Sequence, residues 1–151
     1  MLVHGVALVA ERGAIGAALV AAVAVGCAGS DVGAYIVGRR FGRTPLAPAL
    51  SPNKTREGLA GNLIGAAAGV AIAAPVLTPA LGVPGLLGLA VVVAVGSLWG
   101  DLLESAAKRE FGVKDAGTWL PGFGGILDRV DSLLLCLPLV YWAARLLDLR
   151  A

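Results

Sequence analysis

Four stretches of this chain stay apolar for about the 20 residues a helix needs to cross the ~30 Å hydrocarbon core of a bilayer, which narrows the architectures open to it. They run from Gly13 to Val37, Leu59 to Leu77, Leu86 to Ala107 and Ile126 to Leu147. Only 15% of the residues are charged, where a soluble domain averages about 25%. Most of the apolar mass is Ala, Val, Leu and Gly, and 5% of the chain is aromatic, so these helices are expected to pack by close backbone approach. The predicted fold is all-α, a polytopic transmembrane helical bundle of about four spans, with residues 1–151 forming a single membrane-embedded domain. Met1 to Arg12 is too short to cross alone and reads as a loop entering the first span, or as the stub of a further helix. No basic segment precedes its apolar residues, which argues against a cleaved signal peptide.

The loops set an orientation. Arg39, Arg40, Arg43, Lys54 and Arg56 lie between the first two spans, and Lys108, Arg109 and Lys114 between the last two. Thr78 to Gly85, between spans two and three, has no charge. The positive-inside rule places the two basic loops in the cytoplasm and both chain ends outside, although Arg145 and Arg150 run against it. Gly61, Gly65 and Gly69 form a small-residue stripe that permits close helix contact within one chain or across a homodimer.

Several function classes drop out. The formal charge of +2 and the lack of basic stretches interleaved with aromatics speak against a nucleic-acid partner. His4 is the only histidine, so one chain cannot assemble a histidine metal cluster or a Ser/His/Asp triad. Cys27 and Cys136 both sit in apolar runs, where a thiol behaves as a small hydrophobe, which argues against a disulfide or zinc site.

The acids that interrupt the spans are the informative residues, because a carboxylate at membrane depth costs ~2.5–3.5 kcal/mol on insertion scales. Asp31 lies late in the first span, Asp101 and Glu104 late in the third, and Asp128 and Asp131 at the start of the fourth, all toward the cytoplasmic side. Asp101/Glu104 and Asp128/Asp131 are both i,i+3 pairs, so each pair projects from one helical face. Carboxylates converging at one level need cations to neutralise them, and hard oxygen donors of this kind suit Mg²⁺. The plainer alternative pairs Asp101, Glu104 and Asp128 with Lys108, Arg109 and Arg129 at the helix ends. A cation or proton pathway would need polar residues continuing to the far side, and spans two and three carry almost none on their outer halves.

The loop Leu50–Gly58 supplies hydroxyls, Lys54 and Arg56 ahead of a helix N-terminus, where free backbone amides favour an anion. Lys108, Arg109 and Lys114 follow, then Pro121-Gly122-Phe123-Gly124-Gly125 leading to Asp128. Metal-binding acids beside phosphate-binding cations suggest phosphoryl or nucleotidyl transfer.

The run from Ser105 through Lys108-Arg109, Lys114-Asp115, Pro121-Gly-Phe-Gly124-Gly125 and Asp128-Arg129-Val-Asp131-Ser132 resembles the signature of phosphatidate cytidylyltransferases, the CDP-diacylglycerol synthases. Asp31-Val-Gly-Ala-Tyr35 with Gly38-Arg39-Arg40-Phe41-Gly42 resembles the first motif of that family, and Ser51-Pro-Asn-Lys54-Thr55-Arg-Glu-Gly58 its Ser-Pro-x-Lys-Thr-x-x-Gly loop. Gly100-Asp101-Leu-Leu-Glu104-Ser105 completes the series. The likeness runs from about Gly26 to the C-terminus and corresponds to the C-terminal half of a bacterial member. Phe123 stands where the family usually has His, and Arg56 where it usually has an aromatic. Archaeal CDP-archaeol synthases resemble the Pro121–Asp131 segment less well.

The resemblance implies Mg²⁺-dependent transfer of CMP from CTP to phosphatidate, at a site facing the cytoplasm of a bacterial inner membrane. Asp101, Asp128 and Asp131 would be the catalytic, metal-holding acids, with Asp31 and Glu104 nearby. Ser51, Lys54, Lys108, Arg109 and Lys114 would bind substrate phosphates. A truncated or catalytically lapsed subunit is the alternative that Phe123 and the missing N-terminal half leave open.

Overall fold

The computed structural model of the protein describes residues 2–48, 50–110 and 127–146, less the side chains of 2, 52 and 127–131. The expected all-α architecture is observed, with one small β-hairpin added. In chain order the elements are α1 (Leu2–Phe41), β1 (Pro45–Ala47), β2 (Ser51–Thr55), α2 (Gly58–Ile72), α3 (Ala74–Glu110) and α4 (Leu127–Leu146).

Two of the four helices are broken by glycine. Gly13 takes φ 52° and ψ −124° inside α1, a left-handed setting that side-chain-bearing residues avoid. The chain reverses there so sharply that a Cβ on Gly16 would lie 1.9 Å from the Leu8 carbonyl oxygen, a contact impossible along one straight helix. This corrects the reading of Met1–Arg12 as a loop: from Leu2 the segment is helical and folds back along the bundle. Leu8 is fully buried, Gly5 faces Leu137, the His4 ring stands edge-on to Tyr141, and Arg12 donates to the Ala144 carbonyl at 3.0 Å. His4 with Gly5, then Leu8 and Arg12, three to four residues apart, form the inward face of this short helix, and Glu11 and Arg12 supply polar contacts to α4 at the turn.

The second break is Gly82 in α3 (φ 66°, ψ 176°), two residues before Pro84. Proline restricts the residue before it and removes a donor, so the helix cannot run straight through. Span two also differs from expectation, since α2 ends at Ile72 and Ala73 turns the chain into Ala74–Leu81 before the Gly82 break. Beyond the breaks, α1 and α3 each retain nearly thirty helical residues, about 40 Å at 1.5 Å per residue. That exceeds the ~30 Å hydrocarbon core of a bilayer, and the C-terminal turns of the two helices carry Arg39 and Lys108.

Both α1 and α3 are long and apolar enough to cross a membrane, while α2 and the Ser132–Leu146 part of α4 are shorter apolar helices. Ile64, Val91, Val95 and Leu139 point away from the protein interior and are about half exposed or more, a pattern suited to contact with lipid. Inward, Leu19, Val23, Val70, Val93, Val140 and Cys136 form the core.

α1 and α2 make the closest contact in the bundle. A Cβ on Gly65 would fall 2.0 Å from the Gly29 carbonyl oxygen, and one on Gly61 2.2 Å from that of Gly33. Further along the same seam, Gly26 lies against Gly69. The Gly61–Gly65–Gly69 stripe is therefore used inside one chain, and any pairing of two copies would use another face. Cys27 and Cys136 are free and buried, as expected of apolar-run thiols, with their Sγ atoms 3.6 Å apart between α1 and α4.

Candidate active site

At the end of the bundle holding the last turns of α1 and α3, the hairpin folds across the helices. Strand β1 pairs antiparallel with β2, Pro45 opposite Thr55 and Ala47 opposite Ser51. The Ser51–Thr55 segment expected as a loop is thus a strand, a correction that matters because a paired strand fixes where Lys54 can reach. Glu57 anchors the base of the hairpin by accepting from the backbone N–H groups of Arg43 (3.0 Å) and Thr44 (3.2 Å). Those backbone donors favour the charged carboxylate and pull its pKa down to about 2.

Thr55 explains three glycines of the sequence motifs. Its hydroxyl accepts from the Gly58 N–H at 3.2 Å, satisfying a free donor at the start of α2. A Cβ added to Gly38, Gly42 or Gly58 would come within 3.1 Å of that same hydroxyl oxygen. The hairpin can seat on the end of α1 only because those positions lack side chains.

Lys54 then reaches α3. Its Nζ lies 2.6 Å from Asp101 Oδ2, and both side chains are about three-quarters buried. Ser132, buried on α4, donates to Asp101 Oδ1 at 3.1 Å. One carboxylate therefore gathers the Ser-Pro-x-Lys-Thr strand, the Gly100-Asp101 segment and the Asp131-Ser132 segment, which lie far apart in sequence. Asp128 stands one turn before Ser132 on α4, and Asp131 immediately before it. The side chains of both aspartates, like Lys114 and Phe123, lie outside the described residues.

Asp31 belongs to a second cluster, one turn deeper along α3. Ser97 donates to its Oδ1 at 3.0 Å, and Ser30, 2.7 Å from Ser97, also lies 2.8 Å from the Cys27 carbonyl oxygen. Both serines are fully buried. Ser97 and Asp101 are i,i+4 on α3, so this face of one helix carries both polar clusters. Glu104 pairs with Lys108 at 3.0 Å, one turn along, in the helix-end manner of the plainer alternative. Asp101 has a partner outside that alternative, Lys54 from the hairpin. Arg109 is exposed in the last turn of α3.

Between hairpin and helices lies a cavity of about 280 Å³, lined by Asp31, Ser51, Lys54, Asn62 and Asp101 among others. Sequence reasoning anticipated Asp31, Ser51, Lys54 and Asp101 together; it missed Ser30, Ser97, Ser132 and Asn62. The signal for the serines was present, since each adjoins one of the acids that interrupt the apolar runs or sits one turn from it. Among the described residues no three His, Cys, Asp or Glu side chains cluster closely enough to hold a metal. Below Cys27 the core is apolar, so the polar groups described here do not continue as a path through the bundle.

A helical bundle with two helices long and apolar enough to cross a membrane, and an acid–lysine–hydroxyl cluster at one end, is the class that this geometry defines. The sequence pattern of the cytidylyltransferase family matches residues 1–147, and the chain belongs to that family. It is 44% identical over 113 residues to a phosphatidate cytidylyltransferase of Bacillus subtilis, covering 75% of this chain and 42% of that protein. Against the phosphatidate cytidylyltransferase of Brucella suis the identity is 46% over 112 residues, covering 74% and 41%. An Escherichia coli protein of uncharacterized function, YnbB, is 40% identical over 116 residues, covering 77% and 39%. The chain thus spans about two-fifths of the length of the curated relatives it matches.

Proposed function

We propose that this chain carries the nucleotidyl-transfer site of a phosphatidate cytidylyltransferase, moving CMP from CTP to phosphatidate to give CDP-diacylglycerol and pyrophosphate. The observation that carries the proposal is the convergence of Lys54 and Ser132 on the Asp101 carboxylate, which joins three motif segments. A phosphatidate oxygen attacks the α-phosphorus of CTP; the new P–O bond forms as the bond to the β-phosphate's bridging oxygen breaks, and pyrophosphate leaves. The nucleophile is already an anion, so no general base or covalent intermediate is needed, and positioning with charge neutralisation supplies the catalysis.

Lys54 donates to a phosphate oxygen when it leaves Asp101, Ser51 adds a hydroxyl from the same strand, and Lys108, Arg109 and Lys114 bind the remaining phosphate charge. Asp101, Asp128 and Asp131 would hold Mg²⁺. Their fit rests on the donor set: oxygen-only ligands suit that ion, and the Asp101 carboxylate already accommodates a cationic head at 2.6 Å. Bound there, Mg²⁺ would neutralise the phosphates and the departing pyrophosphate. Asp31 and Glu104 shape the field around this cluster.

In this reading four spans cross a bacterial inner membrane with the hairpin end in the cytoplasm, consistent with the basic loops. Labelled CTP, phosphatidate and Mg²⁺ supplied to the purified chain test the function directly. We expect label in chloroform-soluble product, reduced at least about 100-fold by Asp128→Asn, the scale of losing one group that stabilises transition-state charge. A folded wild-type chain that forms no product would leave the lapsed-subunit reading in its place.

A further inference from the structure

Asn62 has no place in the chemistry above. It lies on α2, is 7% exposed, and lines the cavity that Lys54 and Asp101 border. Among the described residues its side chain makes no hydrogen bond, and its carboxamide is not sealed in the core but opens onto that cavity. Its level in the bundle is fixed by the glycine seam. Gly61 touches the Gly33 backbone, which places Asn62 about one helical turn below the strand that carries Ser51 and Lys54. The amide therefore forms part of the cavity floor, with Asp31 beside it on α1.

The chemistry of that floor selects its occupant. A carboxamide offers donor and acceptor together, whereas a phosphate asks only for donors. The Asp31 carboxylate repels phosphate from the same surface, and the cation that attracts phosphate, Lys54, stands above at the rim. Leu46, Leu59 and Leu98 add apolar wall, and Tyr35, Asn53 and Thr55 add neutral polar groups. A flat, neutral heterocycle with a mixed hydrogen-bonding edge meets all these conditions, and about 280 Å³ is ample for one pyrimidine ring.

We propose that Asn62 is a specificity-determining residue that hydrogen-bonds the pyrimidine base of the nucleotide, with the triphosphate directed up toward Lys54. Cytosine suits the floor better than uracil: its exocyclic amino group faces a carboxylate acceptor, where uracil would present a second carbonyl oxygen to Asp31. This assignment rests on the proposed cytidylyl transfer, and it adds the direction in which the nucleotide enters.

The test is equilibrium binding and steady-state kinetics on the full chain, for wild type, Asn62→Ala and the isosteric Asn62→Asp. Each variant is first checked for an unchanged thermal unfolding midpoint and single size-exclusion peak. Losing one neutral hydrogen bond corresponds to about tenfold. We expect Asn62→Ala to raise the Kd and KM for CTP by about that factor while the KM for phosphatidate stays within about twofold. The wild-type preference for CTP over UTP should narrow in the same variant, and Asn62→Asp should bind CTP more weakly again. Wild type that binds and turns over CTP, beside variants with unchanged CTP affinity, overturns the role of Asn62 and leaves the activity standing. A rise in the KM for phosphatidate alone overturns it too, moving Asn62 to the lipid substrate. If folded wild type neither binds nor consumes CTP, both readings fall together. Should one variant misfold, the other still decides through the CTP-to-UTP affinity ratio.

Discussion

The α1–α2 seam and the Lys54–Asp101–Ser132 cluster are both places where distant segments meet, yet they are held by opposite means. Along the seam, backbone lies on backbone, with Gly29 against Gly65 and Gly33 against Gly61, and no side chain between them can adjust. At the cluster, a flexible lysine from a hairpin and a serine from α4 reach a carboxylate on α3. The rigid seam sets the height at which the flexible groups meet. A membrane protein gains little from the hydrophobic effect between helices, so close packing has to supply that rigidity. The polar end can then exchange partners, as substrate binding requires, without disturbing the bundle.

The largest effect is expected where adjustment is impossible. Gly65→Val would drive its side chain into the Gly29 carbonyl; overpacking typically costs about 1–3 kcal/mol, and here the obstacle is backbone. We expect loss of the folded, monodisperse species in detergent, whereas near-normal unfolding would mean that the seam can open. The next effect falls on chemistry. Lys54→Ala should lower the rate of CMP transfer by about 10²–10³-fold, with a smaller effect on thermal unfolding, since it removes a donor to developing phosphate charge. A loss that appears only as instability would place Lys54 in structure.

A smaller effect separates the two polar clusters. Ser97→Ala strips a buried donor from Asp31 and leaves Ser30 with a changed partner, for about 1–3 kcal/mol of stability by thermal unfolding. The smallest concerns the hairpin anchor. Because the Glu57 carboxyl is lower in the folded chain than its ordinary value of 4.5, its contribution is present above that pH and fades as pH falls toward about 2. Hydrogen exchange at the Arg43 and Thr44 amides should therefore be slow at pH 6 once intrinsic rates are allowed for. Protection should weaken by pH 3, and Glu57→Ala should remove it at pH 6.

What could be read before the structure follows the same division. The apolar runs and the interrupting acids carry large free energies per residue, so hydropathy alone located the long apolar parts of α1 and α3 and marked Asp31 and Asp101 among the acids that interrupt them. The breaks at Gly13 and Gly82 depend on one residue's backbone angles; Gly82, two positions before Pro84, carried a turn signal, and Gly13 follows the polar Glu11-Arg12 pair, which read as the end of a loop rather than as a helix reversal. The hairpin was hidden because β2 is five residues long and contains Pro52, which normally counts against a strand. Ser30 and Ser97 escaped because a serine in an apolar helix satisfies itself on the preceding turn as readily as it meets a partner across the bundle. Which of the five acids would meet which cation was also illegible: Lys54 and Asp101 are 47 residues apart, and only the fold joins them.

The most direct test is a double-mutant cycle on CMP transfer to phosphatidate, using wild type, Lys54→Ala, Asp101→Asn and the double variant, each confirmed as folded. We expect product from wild type, a large loss in each single variant, and a double variant no slower than the worse of the two. Losses that multiply, or a folded wild type that forms no product, would contradict the placement of Lys54 and Asp101 in one catalytic unit.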